Sequence, residues 1–167
     1  MTLGLSLSTF TMLHVVISLI AIGSGIIVMF GMLGASRMPG LTAVFLLFTI
    51  LTSVTGFGFP FEQLLPSHMI GILSLVLLLV ACVALYGTRL SGIWRPVYVV
   101  TALASLYLNV FVLIIQSFLK VPVLHAIAPG NPPMGPAFAA VQGIVLVFFV
   151  VVIVGAWRRF KPVASFA

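Results

Sequence analysis

Acid is almost missing from this chain. Glu62 is the only Asp or Glu in 167 residues. Two-carboxylate chemistry is therefore excluded. So is ion coupling through an acidic side chain inside a membrane span, because Glu62 falls between apolar runs. Cysteine is also scarce. Cys82 is the only one, so no disulfide forms within the chain, and its apolar surroundings make it a small hydrophobe. The GxSxG nucleophile elbow, the P-loop, the dinucleotide fingerprint, CxxCH, HxxxH and HExxH are all absent from the sequence. These absences point away from an enzyme.

Charge as a whole is sparse. Charged residues make up 5% of the chain and hydrophobic ones 63%, where a soluble domain carries about 25% charge. A surface built from this composition cannot be coated with polar groups, so its solvent is lipid. The net charge of +6 does not indicate nucleic acid. The basic residues stand at the ends of apolar runs rather than in a stripe.

The apolar runs themselves set the architecture. The first, 9–33, holds no Lys, Arg, Asp or Glu and exceeds the ~20 residues that a crossing helix needs. It is too long for a signal-peptide core, and MTLGLSLST before it has no basic segment, so it is expected to remain in the membrane. Further spans are expected at about 41–59, 66–86, 97–119 and 137–157. The expected fold is all-α: one transmembrane domain over 1–167, a polytopic bundle of five transmembrane helices. Phe57, Phe59 and Phe61 form an aromatic cluster suited to an interface. The connection 120–136 holds Pro122, Pro129, Pro132, Pro133 and Pro136. It reads either as a semi-rigid cap or as a simple spacer.

Five crossings put alternate connections on opposite sides. Arg37, Arg89, Arg95, Arg158, Arg159 and Lys161 then share one side, and Lys120 alone takes the other. The positive-inside rule makes the first side cytoplasmic, with the N-terminus outside. The localisation expected is a bacterial inner membrane. The partners expected are the bilayer and either another membrane protein or a second copy.

Small and polar residues line one face of several spans: His14, Ser18, Ala21 and Gly25 in the first, and Thr101, Ser105, Asn109 and Gln116 in the fourth. Their plain use is helix packing. The stronger polar groups, His14, His68, Gln116 and Gln142, fall in the outer half of their spans, while Glu62, His125 and Asn131 lie in outer connections. A pocket for a polar ligand is expected there, lined by Asn109, Gln116 and Gln142. Three readings of the histidines stay open. His14 and His68, on two helices at similar depth, have the geometry of axial ligands to a b-type haem. His14, His68, His125 and Glu62 have the donor types of a zinc or copper site. Alternatively the histidines are structural, their rings packed and their nitrogens reaching interface water.

The runs HMIGILSLV from His68 and GIWRPVYVVTALASLYLNVFVLIIQ from Gly92, with Leu13-His14 and VPVLHAIAP, resemble a group of small uncharacterised bacterial integral membrane proteins. That resemblance covers most of the chain and implies a bacterial inner membrane. It brings no assigned activity, so no residue role follows from it. His14 and His68 alone carry a looser similarity to cytochrome-b-like helical membrane proteins.

Overall fold

Each helix begins and ends where local chemistry allows. The computed structural model describes residues 6–59 and 66–161. Helix α1 spans Leu7–Leu33, and the Ser6 hydroxyl caps it by accepting from the Thr9 N–H at 3.2 Å. Helix α2 spans Pro39–Gly56, α4 Trp94–Lys120, α5 Pro122–Ile127 and α6 Pro136–Arg159. A proline opens α2, α5 and α6, where its missing N–H leaves no bond unmade. Lys120 ends α4, and Arg158 and Arg159 end α6, placing positive charge at the negative pole of each helix dipole. Helix α3 spans Pro66–Cys82 and continues as a π-helical turn over Val83–Gly87.

Five of these segments are long and apolar enough to cross a membrane: α1, α2, α3 with its π turn, α4 and α6. At 1.5 Å per residue, the 27 residues of α1 and α4 reach about 40 Å and the 18 of α2 about 27 Å. No strand occurs among the described residues. Helix boundaries move outward by a few residues from the expected ones in α1, α4 and α6, and α2 shifts toward its start. The connection after Lys120 is not a plain loop, since Pro122 starts a short helix there.

Helix α4 is the hub, and every other helix packs on it. Its Tyr98, Val99, Ala102, Leu103 and Leu106 are buried against Met29 and Met32 of α1, Phe45 of α2, Leu78 and Ala81 of α3 and Phe149 of α6. Gly25 makes the close approach of α1 possible. A Cβ there would lie 2.6 Å from Leu106 Cδ1 and 2.8 Å from the Phe45 ring. Outside, the usual pattern of a water-soluble protein is inverted. Met12, Leu79, Ile144 and Val151 are exposed, as suits a surface that meets hydrocarbon.

Several buried hydroxyls inside the bundle are satisfied locally. The hydroxyls of Ser24, Thr49, Thr101 and Ser105 donate to carbonyls of their own helices at 2.6 to 2.9 Å. Ser53 of α2 donates to Ser74 of α3 at 3.2 Å. Antiparallel threading gathers the chain's turns at two ends. Arg37, Arg89, Arg95, Arg158 and Arg159 mark one end, tied together where Arg95 Nη1 donates to the Phe160 carbonyl at 2.6 Å. The start of α1, the end of α2, the start of α3 and Lys120 mark the other.

Candidate functional site

At the Lys120 end, His14 is held by α2. The Thr55 hydroxyl donates to the Leu51 carbonyl at 2.7 Å, and His14 Nδ1 lies 2.7 Å from the same oxygen. That contact engages Nδ1 and leaves Nε2 as the ring nitrogen not used on Thr55. The imidazole also meets the Phe59 ring edge-on at 5.2 Å, and Phe59 in turn meets Phe10 at 5.0 Å. Lys120 is near enough to act on His14 electrostatically. His68, buried at 4% exposure, packs on Phe57 at 5.6 Å between ring centres. The end of α2 thus receives both histidines, His14 through Thr55 and Phe59 and His68 through Phe57. Phe61, the third aromatic expected in that cluster, lies outside the described residues.

The other expected site residues are spread. Gln142, on α6, is buried and its Nε2 donates to the Phe111 carbonyl of α4 at 3.2 Å. Its Oε1 and the Nδ2 of Asn109 are buried with no hydrogen-bond partner among the described residues. Gln116 is half-buried near the end of α4, and His125 is exposed on α5. Glu62 lies outside the described residues. Among the described residues, no three His, Cys, Asp or Glu side chains gather as metal ligands would.

A depression at the opposite, arginine-marked end escaped the sequence reading. It encloses about 130 Å³ between the α1–α2 turn, the π turn and the start of α4, with Phe160 beside it. Arg37 and Ser36 stand exposed at its edge, and Thr42 and Tyr98 are buried side by side in its depth. Val28, Met32 and Leu85 supply apolar wall. Arg37 and Tyr98 are visible in the sequence, but three separate connections have to converge before they share a space.

Comparison of the chain with protein-family models, with curated proteins and with solved structures finds no match.

Proposed function

We propose that this chain is a multi-pass protein of a bacterial inner membrane, with its N-terminus outside and its C-terminus in the cytoplasm, serving as a non-enzymatic accessory or structural subunit. One observation carries the reading. Buried hydroxyls inside the bundle serve cohesion: Ser24, Thr49, Ser53, Thr101 and Ser105 all donate to helix carbonyls or to a neighbouring helix. Hydroxyls used this way brace helices against each other and are not held ready for substrate. The orientation follows from the arginine-rich end, and the bacterial membrane from the sequence resemblance. Extraction in a mild polymer followed by native mass spectrometry tests the role. An accessory subunit is expected to leave the membrane in a defined complex larger than its own 17.8 kDa. A lone monomer after such gentle extraction contradicts the reading.

A second reading has one observation in its favour. His14 Nδ1 is engaged by the Thr55 hydroxyl, which leaves Nε2 as the nitrogen that would ligate, the arrangement that metal-bound imidazoles use. With His68 at the same end, these two side chains would supply axial ligands to a b-type haem. An absorption spectrum of the purified protein decides it. A Soret band lost in both His14→Ala and His68→Ala supports ligation, and colourless protein from haem-replete cells rejects it.

A further inference from the structure

The depression beside Arg37 gathers several unusual features at one point. The three non-glycine residues with positive φ among the described residues are Ala35 at 55°, Arg89 at 52° and Leu90 at 61°. All three stand in the two turns that border this space, and Leu90 itself lines it. Leu85 and Tyr86 reach the same wall from the π-helical turn. Positive φ is costly for a residue as bulky as leucine, and strained backbone and π-helical turns both concentrate where ligands bind. The cavity, at about 130 Å³, approaches the ~150 Å³ that holds a benzene molecule. Its lining is divided: cation and hydroxyl at the edge, hydrocarbon and paired hydroxyls within.

We propose that this cavity binds an acidic amphiphile, its phosphate or carboxylate on Arg37 and Ser36 and its apolar part against Met32, Leu85 and Leu90. The proposal goes beyond the accessory role and stands or falls separately from it. Such a molecule has two sources, an anionic phospholipid of the bilayer or a soluble organic acid. The test uses the full chain in nanodiscs of phosphatidylcholine. Phosphatidylglycerol is added to the disc in one arm and phenyl phosphate to the solution in the other, with the thermal midpoint, and Trp94 fluorescence in a Trp157→Phe background, followed as titrations. A saturable response in the first arm assigns the bilayer source, and one in the second assigns the soluble source. In either case Arg37→Gln is expected to weaken binding about tenfold or more, the loss of one charge-assisted hydrogen bond. Ser36→Phe, which fills the entrance from an exposed position, is expected to abolish it. Arg158→Gln, at the same end but outside the cavity, is expected to change it less than twofold. No saturable response in either arm overturns the proposal. So does a response that Arg37→Gln and Arg158→Gln weaken equally, because that is diffuse attraction to a basic surface.

Discussion

At the scale of single residues, small side chains decide how closely the helices approach. Gly25 has the Leu106 methyl and the Phe45 ring where a Cβ would go, and both neighbours are fully buried. Gly25→Ala is therefore expected to destabilise the bundle by about 1–3 kcal/mol, the cost of overpacking a close-fitted core. Gly23, two residues earlier, has nothing within 4 Å of the same position. Gly23→Ala is expected to be neutral or to stabilise by up to about 1 kcal/mol through helix propensity. Unfolding in mixed micelles measures both, and equal effects at the two positions contradict this account. The His14–Thr55 bond is the other residue-scale device. A double-mutant cycle with His14→Ala and Thr55→Val is expected to give a coupling of about 0.6 kcal/mol and no more than ~1.7, the range of hydrogen bonds between membrane helices. A coupling near zero means the bond is not maintained in the bilayer.

At the scale of elements, the end of α1 carries a defect that substitution can repair. The Ala35 N–H donates to the Met32 carbonyl at 3.1 Å and the Ser36 N–H to the Gly31 carbonyl at 2.8 Å. This is the paired bonding of a Schellman cap, with alanine in the left-handed position that glycine normally fills. Ala35→Gly is expected to stabilise the protein by roughly 1 kcal/mol, measured by the same unfolding assay. Loss of stability shows instead that the methyl packs usefully. The apolar runs made all five helices that are long and apolar enough to cross a membrane legible in the sequence, because such a helix demands continuous length. Two elements were not legible. Five prolines between 120 and 136 suggested a semi-rigid cap or a simple spacer with no helix of its own, yet Pro122 at a first helical position begins α5. The π turn at Val83–Gly87 leaves no mark in an unbroken apolar run, since hydrophobic periodicity needs polar residues to be seen. At the candidate site, sequence spacing placed His14 and His68 at one end, but it gave no sign of Thr55 as the group that fixes the first ring. The depression beside Arg37 was invisible for a related reason: its walls come from turns far apart in the chain.

At the scale of the whole molecule, the distribution of polarity runs from one end to the other rather than from outside to inside. Arginines crowd one end, histidines and the aromatic cluster hold the other, and hydrocarbon side chains face outward between them. That arrangement has meaning only if the chain crosses a bilayer an odd number of times. Every functional reading above depends on it, whether the haem-ligand pair on one face or the acidic amphiphile at the other. Single cysteines in a Cys82→Ala background, probed on intact cells with a membrane-impermeant maleimide, test it most directly. All the positions used are exposed: Ser8 and Asn131 at one end, Ser36, Ser91 and Lys161 at the other. Labelling is expected at Ser8→Cys and Asn131→Cys on intact cells, and at Ser36→Cys, Ser91→Cys and Lys161→Cys only after the cells are opened. Ser8→Cys and Lys161→Cys reacting from the same side of the membrane would contradict it.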